Sequence, residues 1–350
     1  MVYPRVRKSR TLPIFGAVKQ FDMKNLTVAV ALCLSILCSA QPKLAFRADS
    51  TFKVLQLTDT HLNVGSEANC EYSERTLRRI GELLSMEKPD LVMMTGDIVT
   101  WGKADGLWHR VVDTLDAHQV PYCMCFGNHD AECPLSRRQI ADILRSSKWS
   151  LVETDRKGEV TDSRIDVLGH DGKPAFCFWN LDSHDYPKDR SLGTYAWFTF
   201  DQVDWFRKEA AAVTKKNGGT PVPSFMFFHI PVPEYDFVGH RHDVGCVGRK
   251  GEDECIQSLN TGMFAAAVES GSVIGMTVGH DHDNDYVLLR SGLALCYGRF
   301  SGDDTIYNHV VRGARVFVFR EGSRSFETWI REESGREVEH VRVADGKFVK

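Results

Sequence analysis

Short apolar runs ending in glycine, aspartate, asparagine or histidine recur along the chain. FKVLQLT (52–58), DLVMMTG (90–96), VPYCMCFGN (120–128), SFMFFHI (224–230) and SVIGMTVG (272–279) have the length and branched or aromatic content of buried β-strands. Between them the apolar period lengthens to that of helices: 73–87, with Leu77, Ile80, Leu83 and Leu84 on one face, then 107–118, 136–145, 201–215 and 263–269. Further strands are predicted near 151–154, 164–168 and 175–181. The tail alternates through DYVLLRS, LALCYGR, GARVFVF and FETWIR, the pattern of antiparallel strands. Alternating strand–helix units followed by a strand-rich end predict an α/β fold, a layered sandwich of mixed β-sheets flanked by helices.

Length adds that 350 residues can bury a large core. A formal net charge of −4, with charges interspersed, gives no polyanion-binding surface, so no nucleic-acid partner is expected. The N-terminus changes the picture more. From Met23 the chain reads one lysine, an apolar stretch over 26–38, then Ser39-Ala40-Gln41, which is the layout of a secretory signal peptide cleaved after Ala40. That stretch is shorter than the ~20 residues a membrane-spanning helix needs. Residues 1–40 are therefore read as an N-terminal extension and signal peptide, with Met23 a candidate start, and 41–350 as one domain exported to the periplasm or secreted. Of the eight remaining cysteines, Cys246 and Cys255 flank a polar stretch and are the expected loop closure, while Cys123 and Cys125 share a strand face as buried thiols.

The residues that end the apolar runs carry the chemistry. They are Asp59 and His61, Asp97, Asn128 with His129 and Asp130, His229, and His280 with His282. In open α/β sheets, ligands gather outside the carboxyl ends of strands. Two cations about 3.5–4 Å apart need a shared anionic ligand, and Asp97 after Gly96 is the natural bridge. Imidazole, amide and carboxylate together suit iron, manganese or zinc rather than calcium. Water between such metals ionises near neutral pH and becomes a nucleophile.

The series DxH, GD, GNHD, H and GHDH resembles the calcineurin-like metallophosphoesterase family over about residues 52–300. FFHIPVPEY, LNTGMFAAAVESG, GHDHDND and LCYGR resemble its branch related to purple acid phosphatases, the plant inactive-phosphatase and yeast dosage-suppressor type. The resemblance implies a metallophosphoesterase sandwich. It implies one metal on Asp59, His61, Asp97 and His282, and the other on Asp97, Asn128, His229 and His280. His129 would be general acid or phosphate-binding cation, with Asp130 orienting its ring. Purple acid phosphatases carry a tyrosine three residues after the bridging aspartate; Thr100 stands there here, so a colourless protein is expected.

The expected activity is hydrolysis of a small phosphate mono- or diester by metal-bound hydroxide. Asn128, His129 and Arg299 are the candidates for substrate contact, Arg299 as a bidentate donor to phosphate or else a salt-bridge partner. His240 and His242 in GHRHD imitate the ligand motif, but no apolar run precedes them and they read as loop. Asp182, His184 and Asp185 read as a turn. Two other classes stay open: a metal-holding protein of the same fold without catalysis, and an exported interaction module whose histidines are incidental.

Overall fold

Two mixed β-sheets lie face to face in the computed structural model, which describes residues 41–102, 105–155, 162–236, 246–303 and 309–349. The first sheet contains β1 (Leu44–Ala45), β5 (Ser163–Leu168), β6 (Pro174–Asn180), β7 (Ser224–Phe227), β8 (Cys246–Val247), β9 (Val273–Val278), β10 (Val287–Arg290) and β11 (Leu293–Tyr297). Its spatial order is β1-β5-β6-β7-β9-β11-β10-β8. The second contains β2 (Thr51–Leu57), β3 (Leu91–Thr95), β4 (Tyr122–Cys125), β12 (Gly313–Arg320), β13 (Ser325–Glu332), β14 (Glu337–Ala344) and β15 (Lys347–Val349), in the order β15-β14-β13-β12-β2-β3-β4. The helices are α1 (Glu67–Glu87), α2 (Asp105–Ala117), α3 (Arg137–Leu144), α4 (Phe200–Lys216) and α5 (Met263–Ser270). None of the described helices is long and apolar enough to cross a membrane.

The core between the sheets is built on phenylalanine. Phe178, Phe225 and Phe227 of one sheet meet Phe52, Phe317 and Phe319 of the other, with Phe52–Phe178 ring centroids at 5.7 Å and Phe225–Phe317 at 5.1 Å. One buried polar residue stitches the same layer. The Gln56 amide donates to Val278 O at 3.0 Å and Thr95 Oγ1 at 2.8 Å, and accepts from Thr277 Oγ1 at 2.7 Å. Each of its polar atoms is thereby satisfied in a fully buried setting, where an unmade bond costs about 1–3 kcal/mol. Gln56 thus pins the last residues of β2, β3 and β9 together, and these are the strands whose ends carry Asp59, Asp97 and His280.

The expected α/β sandwich is present, with differences of local origin. Helix α1 starts six residues earlier than its apolar period implies, because Ser66 caps it by accepting from Asn69 N at 3.1 Å. Segment 151–154 forms no strand; Leu151 N bonds Tyr122 O at 2.8 Å and the ladder stops there. The tail does not stay together: β10 and β11 join the first sheet, whereas β12 returns to pair antiparallel with β2. Cys246 and Cys255 are free thiols, so the expected loop closure is not formed. The signal-peptide segment, His240 and His242 lie outside the described residues.

Candidate metal centre

Parallel strands β2, β3 and β4 of one sheet and β7 and β9 of the other run the same way, so their C-terminal ends collect at one edge. Asp59, Asp97, Asn128, His229 and His280 follow these ends directly. Glycine is required where the ends crowd. A side chain on Gly96, which has φ +85°, would put its Cβ 2.5 Å from Gly127 N; one on Gly127 would meet Asp97 Oδ1 at 2.1 Å. Only a residue without Cβ lets two backbones approach this closely.

Two groups of side chains form. The ligand-type atoms of Asp59, His61 and His282 lie within 4.8 Å of one another, and so do those of Asp97, His229 and His280. Asp97 Oδ2 lies between them, 3.1 Å from His229 Nε2 and 3.8 Å from His61 Nε2. Asp59 Oδ1 is 3.4 Å from His282 Nε2 and 3.9 Å from His61 Nε2. Among the described residues five buried atoms here make no hydrogen bond, His61 Nε2, Asp97 Oδ2, Asn128 Oδ1, His229 Nε2 and His280 Nε2, although Asp97 Oδ2 and His229 Nε2 face each other as an ion pair. Buried polar atoms are nearly always satisfied, so five such atoms around one point form a cradle for something the chain does not itself supply. Imidazole nitrogens, carboxylates and one amide oxygen fit a pair of transition-metal ions.

The outer contacts aim these atoms. Thr95 O lies 2.7 Å from His229 Nδ1, so a proton on Nδ1 is donated there and Nε2 faces the centre. His280 N donates to Asp59 Oδ2 at 3.1 Å, and Thr58 Oγ1 donates to the same oxygen at 2.7 Å. Asn128 Nδ2 donates to the Tyr186 hydroxyl at 3.2 Å, which leaves Oδ1 for the centre.

The backbone is strained at the same place. Asp59 (φ 53°), His61 (44°), Asp97 (53°) and His280 (78°) all occupy the left-handed region. Each costs about 1–3 kcal/mol and persists only when surroundings dictate it. Here Asp59 N bonds Gly96 O, and His61 N bonds Asp97 O, both at 3.0 Å.

Electrostatics follow the geometry. Burial opposes charge on His229, but the Asp97 carboxylate outweighs it and holds the ring up at about 10. Burial, then the charge of His229, pulls His280 down to about 3. Burial and His282 bring His61 down to about 4. Burial would raise Asp59, yet the His282 hydrogen bond and charge hold it at about 2. Within the centre the carboxylates thus stay ionised and His229 stays protonated, while His61 and His280 stay neutral; bound cations would take the place of the His229 proton.

Three expectations about individual residues change. Asp130 does not orient the His129 ring. Its oxygens are spent on four backbone amides: Asp97 N at 2.9 Å, Gly127 N at 2.8 Å, Ile98 N at 2.8 Å and Val99 N at 3.3 Å. It ties the Asp97 turn to the Gly127 turn; burial and the Asp97 charge push it up to about 7. The carboxylate beside the His129 ring is instead that of Glu132, whose Oε2 approaches Nδ1 to 2.9 Å as an ion-pair contact, one turn of 3₁₀ helix onward. Arg299 does not face the centre. It is buried against Asp285, Nη2 to Oδ2 at 2.6 Å, and donates through Nη1 to Val311 O at 2.5 Å.

Sequence reasoning missed Glu132, whose i,i+3 spacing from His129 was the available signal, and it missed Tyr186 and Tyr195. The Tyr195 ring stands edge-on to His280 at 4.4 Å. Asp182 and His184 serve the turn: Asp182 pairs with Arg137, and His184 Nε2 lies 2.8 Å from Gln202 Oε1. Cys255 and Asp281 approach His280 as a third group, but Asp281 already accepts from Tyr297 OH at 2.6 Å, and burial pushes the Cys255 thiol up to about 12.

Among curated proteins, the chain is 28% identical to "probable inactive purple acid phosphatase 29" of Arabidopsis thaliana, over 91% of each chain. It is 27% identical to the phosphatase DCR2 of Saccharomyces cerevisiae, over 81% of this chain and 54% of that one. A dimetal phosphatase from Danio rerio shares the fold at a TM-score of 0.59, 15% identity and coverage of 84% of this chain and 99% of that one. Purple acid phosphatase PPD1 from yellow lupin does so at 0.52 and 14%, over 87% and 55%. Residues 52–284 match the calcineurin-like phosphoesterase family, and this chain belongs to it.

Proposed function

We propose that this protein is an exported phosphoester hydrolase that works with two metal ions. Asp59, His61, Asp97 and His282 would hold one, and Asp97, Asn128, His229 and His280 the other. The observation that carries the reading is the gathering of two groups of ligand-type atoms, Asp59 with His61 and His282 and Asp97 with His229 and His280, on either side of Asp97 Oδ2, on backbone strained at four of the ligands. When bound, such a pair supplies Lewis acidity toward a phosphoryl oxygen and a lowered pKa for water. The protein's own residues do the rest. Asp97 joins the two groups, Asp130 holds the turn that presents it, and His129 offers a proton from Nε2 to the leaving oxygen while Glu132 steadies the ring at Nδ1. General acid catalysis of this kind contributes about 10²–10⁴-fold.

Iron, manganese and zinc all suit the donor set. With Thr100 in place of a tyrosine, the metal-loaded protein is expected to be colourless. Export rests on the sequence 23–40, and the proposed partner is a small phosphoester rather than a nucleic acid. The test is the initial rate on an aryl phosphate monoester and the matching diester with manganese, zinc or iron added. Metal-dependent turnover that disappears in Asp97→Asn is the expected result, and the ratio of the two rates selects the ester class.

A second reading is a metal-holding protein of the same fold without catalysis, since several relatives are named probable inactive phosphatases. Here His129 and its Glu132 partner are both in place, which favours the enzyme. Under the second reading no turnover is seen on either ester in protein carrying two metals.

A further inference from the structure

The connection between β6 and α4 carries two tyrosines to the edge of the metal centre that the ligand set does not use. Tyr186 and Tyr195 stack with ring centroids 6.0 Å apart, and Tyr195 meets His280. The Arg190 guanidinium lies over the Tyr186 ring, 4.1 Å from its centroid. The loop is closed by Ala196 N to Asp185 O at 3.1 Å and held to the 246–262 segment through Ser258 Oγ, which accepts from Tyr195 N at 3.1 Å. The ring of Tyr186 is therefore fixed, and its hydroxyl ends beside Asn128.

Among the described residues that hydroxyl makes one hydrogen bond. The oxygen accepts from Asn128 Nδ2 at 3.2 Å, and a phenol has a proton of its own to donate. The bond from Asn128 and the stack on Tyr195, whose ring meets His280, place the hydroxyl at the edge of the centre. A phosphate monoester presents three unesterified oxygens, and a diester only two. A fixed donor with a guanidinium behind its ring is therefore of more use to the monoester dianion, because hydrogen bonds to charged acceptors are the stronger ones.

Resting on the hydrolase reading, we propose that Tyr186 is a substrate-contacting residue, donating its hydroxyl proton to an unesterified phosphoryl oxygen and so favouring phosphate monoesters. Arg190 is its positioning residue.

The experiment is calorimetric binding of inorganic phosphate to the full zinc-loaded chain, with metal content measured on the same samples. Tyr186→Phe keeps the ring contacts and removes only the hydroxyl. It is expected to retain two metals, bind phosphate about tenfold more weakly and lose monoester preference over diester. Arg190→Ala is expected to weaken binding about two- to threefold. Unchanged phosphate affinity in Tyr186→Phe overturns the inference and leaves the hydrolase reading standing. Loss of metal in step with loss of phosphate overturns it too, because Tyr186 then acts only through Asn128. Wild type that takes up no metal overturns the hydrolase reading, and this inference with it.

Discussion

Two buried charged clusters lie within a few residues of each other along GHDHDND, and they are built on opposite principles. In the metal centre, acids face histidines: the ion-pair partners of Asp59 and Asp97 among the described residues are imidazoles, five ligand-type atoms have no hydrogen-bond partner, and the backbone is strained. Around Asp285, acids face guanidiniums. Arg299 pairs with Asp285 at 2.6 Å, and fully buried Arg315 donates to Tyr297 O at 2.5 Å, to Thr328 Oγ1 at 3.1 Å and to Asp285 O. The second cluster brings its own cations and joins β10, β11, β12 and β13. The first has its anions and ring nitrogens arranged for cations that come from outside. Burial and charge alone do not mark a functional site; the kind of partner does, imidazoles and strained backbone in the first cluster and guanidiniums in the second.

Mutations separate the two most sharply at the ligands. His229→Ala is expected to remove the metal shared by Asp97 and His280 and to lower turnover at least about 10³-fold, with metal content by mass spectrometry as the check. Retention of two metals would mean that His229 Nε2 has another purpose. His129→Ala should leave both metals in place and lower turnover about 10²–10⁴-fold. Arg299→Ala belongs to the other cluster. It strands Asp285 in the interior and should cost about 3–5 kcal/mol in denaturant unfolding, while kcat of the folded fraction stays near wild type. A large fall in kcat with unchanged stability would restore the phosphate-binding role for Arg299.

The smallest effect is a pH dependence. Burial, then the neighbouring Asp285 charge, raises Glu339 to about 7 from an ordinary value of 4.5. The folded state therefore holds a proton that the unfolded chain releases, so the contribution is fully present below about 4.5 and lost as pH rises through about 7. The melting temperature of metal-free protein should fall over that window, and Glu339→Gln should flatten the fall.

What could be read in the sequence follows the same division. Each metal-centre side chain sits at or just past the end of an apolar run, and three of them, Asp97, Asn128 and His280, follow a glycine, because parallel strand ends crowd there; both marks are local and visible. Asp130 reads as the partner of His129, and Glu132 is missed, because two positions' difference in spacing decides whether a carboxylate meets backbone amides or an imidazole. Arg299 resembled a site residue because its partner, Asp285, is made by the turn into β10 and not by proximity in sequence. Pairing of β12 with β2 joins residues some 260 apart in the chain, for which no periodicity carries information. Strand β14 (EVEHVRVA) is largely polar, lying toward the sheet edge with its apolar residues reaching the core at Val341 and Val343.

The most direct measurement is the metal stoichiometry of the purified chain and of Asp97→Asn, after loading with zinc or manganese and removal of excess. Two ions per wild-type chain and a loss of at least one in Asp97→Asn are predicted, since Oδ2 of that residue stands between both groups. A wild type holding no stoichiometric metal, or an Asp97→Asn variant holding two as tightly as wild type, would contradict the account.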